Sequence, residues 1–575
     1  MPKADDTGLW RRIDPEGYRK FWQTSHWDVL SVFIHQREAV LLDQAVLCSL
    51  LATSKDVRAA ILEGSCRGQA CIRFEAKSDL KRVRRFSLWL QRHAKVVREL
   101  ELLLGQGWAT LADLQTAEAS VAAGLHTAAA QQSLAVQAYS CKPATPSMQL
   151  ALLQHLGSSL SSISFTCHDW VCGGDAPSAG FKARWRGVLG QPAAAAAALG
   201  RLRSLEVHQS YKCGSTVAGR LQLSALSQLT ALRLTGHGEV AAGNMQQLPS
   251  TLQELQVALC EGSQQLNLAH LSALTQLQLR GDYKLASGDR LPANLTAATL
   301  LCGGDAAVLL PQLSRLQQLE LGDKCMLAAA QLTQLPSWLP TLTELHLAYS
   351  CKTFPSPPNL AAEAAAWPGL PLRQLSLHGL SVPVAVLQRL AELPGGVRSL
   401  ELNFCEFEST PRQVAKVLKG MYKLRELKMR RLFHAPASCS LMAGTRELMR
   451  TLGCIHLHTL EVNDMPLGNF VQELAAETDR WLERQLPLQR LVLSNCNLNN
   501  RATYAVLKAC RNLRELSLRH NLPGGMGDRA FGDGNDEWTW RRHVQLPKLQ
   551  WLDVRCTRVT PAGVAHLPGT KLFSY

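Results

Sequence analysis

The clearest hydrophobic pattern in the chain is a short alternation of apolar and polar residues that ends in a turn. Its apolar positions follow the spacing L-x-x-L-x-L-x-x-C-x-L and are Leu488, Leu491, Leu493, Cys496 and Leu498. Because side chains alternate between the two faces of a strand, Leu491 and Leu493 are predicted to enter a core. The intervening side chains are predicted on the opposite face: Arg490, Val492 and Ser494. A Cys or Asn at the turn position is expected to bond neighbouring backbone.

Copies of this motif recur along most of the chain. They begin at residues 97, 202, 229, 252, 274, 316, 342, 372, 397, 424, 457, 488, 513 and 549. Isolated matches arise by chance in any leucine-rich sequence, but a series of this length does not. One unit cannot bury its own leucines, so each copy needs neighbours on both sides. The series therefore predicts a stack of repeated strand-containing units.

The motif and its repetition resemble the leucine-rich-repeat family. A cysteine at the turn, a helix in each later repeat and the ending LDVRCTRVTPAGVAHL resemble its ribonuclease-inhibitor-like subclass. The resemblance implies an α/β solenoid, with a curved parallel sheet on the concave face and helices on the convex face. A solenoid has no upper size limit of the kind that divides globular cores, so one domain can hold most of the 575 residues.

The segment WDVLSVFIHQREAVLLDQAVLCSLLATSKDVRAAI at residues 27–61 has a helical apolar period and resembles a degenerate F-box. The Leu-Pro pair that usually opens the box is absent. The resemblance implies that Leu30, Phe33 and Leu47 contact a Skp-type adaptor. The other interpretation is a helical cap that covers the leucines of the first repeat, which every solenoid needs.

These patterns divide the chain into three expected parts. Residues 1–27 form a polar and aromatic N-terminal segment, and residues 28–95 form the helical F-box-like module and cap. Residues 96–575 form the solenoid, with irregular repeats at 103–200 and a Gly/Asp-rich insertion at 523–542. The sequence FSLWLQRHAKVVRELEL at the entry into the repeats is similar to F-box and leucine-rich-repeat proteins of green algae.

The charge and the cysteine content favour a soluble protein. The formal net charge is +15, but lysine and arginine are spread along the chain, which favours a generally basic protein over a nucleic-acid binder. The 17 cysteines are interpreted as reduced thiols, since residues 1–9 lack the apolar core of a signal peptide. No apolar run reaches the length of a membrane span. We expect a cytoplasmic protein, with the nucleus or the ciliary axoneme as other locations.

Motifs for chemistry are absent or weak. No phosphate-binding loop, dinucleotide fingerprint, H-E-x-x-H or G-x-S-x-G motif occurs. The spacing Cys454-x-His456-x-His458 resembles a ligand cluster, but both histidines flank Leu457 on the predicted exposed side of a strand. The sequence therefore predicts no enzyme, no cofactor and no metal site.

Function is expected on the polar side of the predicted strands, where aromatic and arginine side chains recur. The candidate residues for a protein partner are Tyr349, Phe404, Arg430, Arg431, Arg490, Arg519, His520, Trp551 and Arg555. Such side chains are enriched at binding hot spots. Arg490, Arg519 and Arg555 are expected to lie within two strand steps and to grip one acidic group. Four carboxylates argue against this, because they would neutralise the arginines: Glu461, Asp464, Glu515 and Asp553.

Two functions fit this sequence. The first is a substrate-recognition subunit of a cullin–RING ubiquitin ligase, as the F-box resemblance implies. The second is a structural scaffold on cytoskeleton or axoneme, in which the N-terminal helices are only a cap. Both predict a protein that binds other proteins without catalysis.

Overall fold

The leucines of successive motifs lie opposite one another on neighbouring parallel strands. The computed structural model describes residues 70–76, 79–104, 108, 111–130, 136–142, 160–167, 201–209, 226–236, 239–240, 242–259, 265–322, 324–327, 329–349, 369–393, 395–407, 410–434, 441–465, 467, 486–521, 525–531, 545–567 and 569–573. The chain forms two compact units, Met1–Ala258 and Leu259–Tyr575, here called the N-terminal and C-terminal units. Among the described residues, no helix has both the length and the apolar character to cross a bilayer.

The described strands of the N-terminal unit form a parallel succession. They are β1 (Ala70–Glu75), β2 (Val97–Leu103), β3 (Ala138–Lys142), β4 (Ser162–Cys167), β5 (Ser204–Gln209), β6 (Ala231–Gly236), β7 (Glu239–Val240) and β8 (Glu254–Leu259). Each of β1 to β5 pairs with the next strand in the sequence, and β6 pairs with β8. The alternation of polar and apolar residues over residues 70–76 predicts a strand, and β1 occupies this segment and pairs in parallel with β2.

Two helices follow β1 and β2 in this unit. They are α1 (Leu80–His93) and α2 (Leu111–Ala130). The Asp79 carboxylate accepts hydrogen bonds from the backbone N–H groups of Lys81 and Arg82, which caps the start of α1. Gly124 on α2 lies against Ser87 on α1, where an added Cβ would meet the Ser87 Oγ at 2.7 Å. A larger residue at position 124 would therefore separate the two helices.

The C-terminal unit holds the regular repeats. Its strands are β9 (Gln276–Leu285), β10 (Ala297–Asp305), β11 (Gln318–Leu321), β12 (Cys325–Met326), β13 (Glu344–Ala348), β14 (Gln374–His378), β15 (Ser399–Asn403), β16 (Glu406–Phe407), β17 (Glu426–Arg430), β18 (Phe433–His434), β19 (Thr459–Asn463), β20 (Arg490–Ser494), β21 (Glu515–Ser517), β22 (Trp551–Asp553) and β23 (Lys571–Phe573). Its helices are α3 (Ala329–Leu332), α4 (Leu335–Trp338), α5 (Val384–Ala391), α6 (Pro411–Gly420), α7 (Leu441–Cys454) and α8 (Asn500–Ala509).

The strand register in this unit matches the predicted motif. Leu460 of β19 lies opposite Leu491 of β20, which lies opposite Leu516 of β21. These side chains are almost completely buried. The same alignment runs through β9, β10, β11, β13, β14, β15, β17, β19, β20, β21, β22 and β23. The fold is thus an α/β leucine-rich-repeat solenoid, as predicted, and β23 adds a strand after the last predicted motif.

Two parts of this unit are more buried than their polar or glycine-rich sequence suggests. Val492 and Ser494 of β20, predicted on the face opposite the core leucines, are both buried. Val492 lies opposite Glu461 on β19 and Ser517 on β21. Within the predicted insertion at 523–542, residues 525–531 are packed: Phe531 is fully buried, and the Asp528 carboxylate accepts a 2.7 Å hydrogen bond from the Thr560 hydroxyl.

Candidate functional site

A column of residues with left-handed backbone conformation runs along the C-terminal unit, directly after its strands. Each member lies two positions after the last core residue of the strand motif. The members and their φ angles are Gly379 (68°), Phe404 (55°), Arg431 (46°), Asp464 (57°), Asn495 (55°), His520 (61°) and Cys556 (55°). We call this column the left-handed ridge.

Hydrogen bonds between repeats hold the ridge in place. The backbone N–H of Phe404 donates to the Arg430 carbonyl at 2.8 Å, and that of Asp464 donates to the Ser494 carbonyl at 2.9 Å. The N–H of Asn495 donates to the Arg519 carbonyl at 3.0 Å. Each repeat thus fixes the backbone of the repeat before it, and the left-handed conformation extends the ladder beyond the strand ends.

Several ridge positions carry side chains that do not favour this conformation. Glycine, and to a lesser extent Asn and Asp, adopt positive φ readily, whereas a Phe or Arg there costs on the order of 1 kcal/mol. Phe404 and Arg431 adopt this conformation despite the strain. Strained residues of this kind cluster at functional sites. The ridge is therefore a candidate functional site.

The ring of Phe404 contacts two arginines of the next repeat. Its ring centroid is 5.5 Å from the Arg430 guanidinium carbon and 5.4 Å from that of Arg431. The His378 ring lies 5.0 Å away on the other neighbouring strand. A cation against the face of an aromatic ring is attracted by the ring quadrupole. These four side chains thus form one packed aromatic and cationic cluster.

Asp464 holds the two guanidinium groups in position. Its Oδ2 accepts from Arg430 Nε at 2.8 Å and lies 3.4 Å from Arg431 Nε. The Asn495 side chain donates to the other carboxylate oxygen at 2.9 Å. Burial works to raise the pKa of Asp464, but the hydrogen bonds from Asn495 and Arg430 lower it below its usual range. The carboxylate stays ionised, and both arginine side chains remain half exposed.

Arg490 lies elsewhere on this side of the sheet and is engaged by two carboxylates. Its Nε donates to Glu461 at 2.9 Å and its Nη1 donates to Glu515 at 2.5 Å. The register places Arg490 opposite Glu515, which in turn lies opposite Trp551. Trp551 is half-buried, with its ring 5.5 Å from the ring of Phe573.

The expected alignment of three arginines is therefore wrong. Arg490 begins its strand, whereas Arg519 and Arg555 follow the ends of theirs. Arg519 and Arg555 therefore lie four residues, or roughly 13 Å, further along the strand direction than Arg490. Arg555 is instead bound to its own repeat, where Nε and Nη2 donate to Asp553 at 2.9 and 2.7 Å. Hydrogen bonds and charge from Arg555 hold the pKa of the buried Asp553 low, although burial itself works to raise it.

The remaining candidate residues differ in how much surface they offer. Arg519 and His520 are exposed. Tyr349 is buried, with 4% of its surface accessible. The adaptor candidates Leu30, Phe33 and Leu47 lie outside the described residues. Cys454 ends α7, whereas His456 and His458 are exposed beyond it. Within the described ranges, no group of three or more potential metal ligands is present.

Sequence reasoning located most of this surface but missed the backbone strain. It placed Phe404, Arg431 and His520 in one column from their distance to the leucines. It gave no reason to expect positive φ there, because only Gly379 in the column is a glycine. The available signal was the pair Asp464 and Asn495, whose residue types tolerate this conformation.

Comparisons with known proteins show that part of this chain is similar to part of one curated protein. No protein-family model matches. The chain is 28% identical over 160 residues to the ribonuclease inhibitor of Sus scrofa, which covers 27% of this chain and 32% of that protein. The chain thus spans about a third of that relative's length.

Similar solved structures include an internalin from Listeria monocytogenes, with 13% identity, a TM-score of 0.33 and coverage of 69% of this chain and 95% of that one. Another is a chain of the Rad7–Elc1 complex in yeast, with 14% identity, a TM-score of 0.32 and coverage of 86% and 93%. The strand register and the similarity to the ribonuclease inhibitor both support a leucine-rich-repeat protein.

Proposed function

We propose that this chain is a non-enzymatic receptor that binds a protein partner through the left-handed ridge and the arginines beside it. The centre of the contact is Phe404 with Arg430 and Arg431. Arg519, His520 and Arg555 extend it along the following repeats. The observation that carries the proposal is that bulky side chains occupy left-handed positions in this column at a cost in stability.

The arginines of the ridge are prepared for binding. Asp464 and Phe404 restrict Arg430 and Arg431 in the absence of a partner, so little side-chain freedom remains to be lost on association. The Arg430 contact with Asp464 is made through Nε, which leaves its terminal nitrogens for a partner. Arginine and aromatic side chains arranged in this way are the usual centres of protein interfaces.

The charge on this surface favours a protein over a polyanion. Arg430, Arg490 and Arg555 each bond a carboxylate of the chain. A nucleic acid would meet these carboxylates as well as the arginines, and phosphate contacts need uncompensated positive charge. A protein partner with both polar and apolar groups is complementary to this mixture of arginines, carboxylates and aromatic rings. The ribonuclease inhibitor similar to this chain is named for its action on an enzyme, which agrees with a protein partner here.

The experiment is affinity capture with matched variants of the full chain. The site variant combines Phe404→Asn with Arg431→Asn, since Asn tolerates the left-handed conformation. The control combines Leu88→Asn with Arg511→Asn, which changes an exposed apolar and an exposed arginine side chain away from the ridge. Proteins captured by wild type and the control but lost with the site variant support the proposal. The same set from all three forms contradicts it.

A finer proposal is that the receptor serves a cullin–RING ubiquitin ligase. It rests on the F-box resemblance of residues 27–61, with Leu30, Phe33 and Leu47 as contacts for a Skp-type adaptor. In the full chain, Phe33→Ala is expected to abolish recovery of the adaptor, while the ridge variant retains it. If wild type recovers no adaptor, the scaffold function is favoured, with residues 28–95 as a cap.

A further inference from the structure

A groove of about 470 Å³ lies between α6 and α7, on the helices rather than on the ridge. Half of its lining residues are basic, with Arg412, Lys416 and Lys419 from α6 and Arg450 from α7. We call it the α6–α7 groove. Its single acidic residue, Glu447, lies 4.0 Å from the guanidinium of Arg450. The other three basic residues thus give the groove a positive charge.

The sequence of α6 explains this arrangement. Thr410 and Gln413 form a capping box that fixes where the helix begins. Positions 412, 416 and 419 then fall on one exposed face, since residues three and four apart are neighbours on a helix. The opposite face buries Val414 and Leu418. The basic face is therefore held by the same residues that attach the helix to the core.

The charge of the α6–α7 groove is uncompensated, in contrast to the ridge. Arg412, Lys416 and Lys419 are all exposed. Within the part of the chain that the structure describes, no carboxylate forms an ion pair with these three. Three unpaired cations along one helix face repel one another and attract an anionic ligand.

We infer that the α6–α7 groove binds an acidic segment of a protein in extended conformation. Helical rise places Arg412 and Lys416 about 6 Å apart along the axis of α6. Alternate side chains of an extended segment are spaced by roughly 6.6 Å. Carboxylates at every second position therefore match Arg412 and Lys416, and Lys419 lies about 4.5 Å further along the axis, within reach of a flexible side chain of the same segment. Thr451, at the buried part of the groove, and Gln413 supply polar groups for the backbone of such a segment.

The test uses the full chain and a fluorescein-labelled peptide of about twelve residues in which Glu alternates with Ser. Binding is measured by fluorescence anisotropy at about 50 mM and about 300 mM NaCl, because screening weakens exposed charge contacts. The groove variant is Lys416→Glu with Lys419→Glu. The control is Arg501→Glu with Lys508→Glu, two exposed basic residues of α8. The two variants have equal net charge.

We expect the groove variant to bind the peptide at least about tenfold more weakly than wild type, and the control to stay within about twofold. Equal loss in both variants, or no binding by wild type at the lower salt, overturns the inference. A single-stranded deoxythymidine oligonucleotide of equal charge serves as the competitor. If it binds to the groove as tightly as the peptide, the site is for nucleic acid, and the inference is wrong.

A second measurement needs no substitution. Cys454 is exposed and lines the α6–α7 groove, whereas Cys405, Cys496 and Cys510 are buried. The peptide is expected to slow alkylation of Cys454 in wild type without changing that of the half-buried Cys71. Unchanged alkylation of Cys454 at saturating peptide contradicts binding in the groove. The ridge proposal is independent of either result, because the peptide assay does not involve its residues.

Discussion

The side-chain oxygen of Asn521 accepts a 3.0 Å hydrogen bond from the backbone N–H of Cys496, which lies in the preceding repeat. The same oxygen accepts the N–H of Leu498 at 3.1 Å, and the side-chain nitrogen donates to the carbonyl of Leu493 at 2.7 Å. Asn521 is fully buried. Cys496 holds the equivalent position one repeat earlier, and its thiol donates to the Val462 carbonyl at 3.2 Å. The turn position therefore links consecutive repeats, as the motif predicted.

Replacing Asn521 by Ala is expected to lower the free energy of unfolding by at least about 2 kcal/mol. The change leaves the N–H groups of Cys496 and Leu498 buried without a partner, and each such group costs about 1–3 kcal/mol. The control is Asn512→Ala, which removes only an exposed hydrogen bond with Lys548. Urea denaturation of both variants measures the difference. Similar losses for the two would show that Asn521 does not connect the repeats.

Core positions filled by leucine were predictable, and those filled by other residues were not. The motif at 488 gave the burial of Leu491 and Leu493 correctly. It missed β3, whose core positions hold Tyr139 and Cys141, and β10, where Ala298 replaces a leucine. A solenoid core accepts any side chain of suitable volume, so a leucine pattern underestimates the number of strands.

The register of β20 predicts unequal effects for two adjacent residues. Leu491 is fully buried, so Leu491→Ala should lower the free energy of unfolding by about 2–5 kcal/mol through lost burial and the cavity left behind. Arg490 is 47% exposed and forms surface ion pairs, so Arg490→Ala should cost less than about 1 kcal/mol. Chemical denaturation measures both, and equal losses would contradict the register.

The strain in the ridge escaped the sequence because φ is set by the contacts between repeats. Phe404 and Arg431 have no intrinsic preference for positive φ. The hydrogen bonds from the backbone N–H groups of Phe404 and Arg431 to the next repeat impose it. An arginine column was also expected to align at one level of the sheet, and it did not, because Arg490 precedes its strand leucines while Arg519 follows them.

Glycine substitutions at two neighbouring arginines separate backbone strain from side-chain contacts. Arg431 has a φ of 46°, whereas Arg430 ends strand β17. Arg431→Gly is expected to leave the free energy of unfolding unchanged or to raise it by up to about 1 kcal/mol, because glycine adopts positive φ without strain. Arg430→Gly should lower it by about 0.5–1 kcal/mol. Thermal or urea denaturation compares them, and equal destabilisation would mean that the ridge is unstrained.

Lowering the pH should reduce the contribution of Asp553 to the free energy of unfolding. Its pKa in the folded chain lies below the ordinary value of about 3.9, so the ionised form stabilises the fold above that pH and the effect is lost as pH falls through the folded pKa. Asp553→Asn is therefore expected to be less stable than wild type at pH 7, with a difference that narrows below about pH 4. Denaturation midpoints from pH 7 to 3 measure this. A difference that is constant over the range would rule out the ionised carboxylate as its cause.

Site-specific photo-crosslinking tests most directly whether a protein partner contacts the left-handed ridge. A benzophenone amino acid replaces Phe404 in one sample and the exposed Leu88, on α1, in the other. Each full chain is irradiated in extract of the cells that produce it. The ridge proposal predicts a protease-sensitive adduct of higher mass from position 404 and none from position 88. An adduct from position 88 alone, or a nuclease-sensitive adduct from position 404, would contradict a protein partner at the ridge.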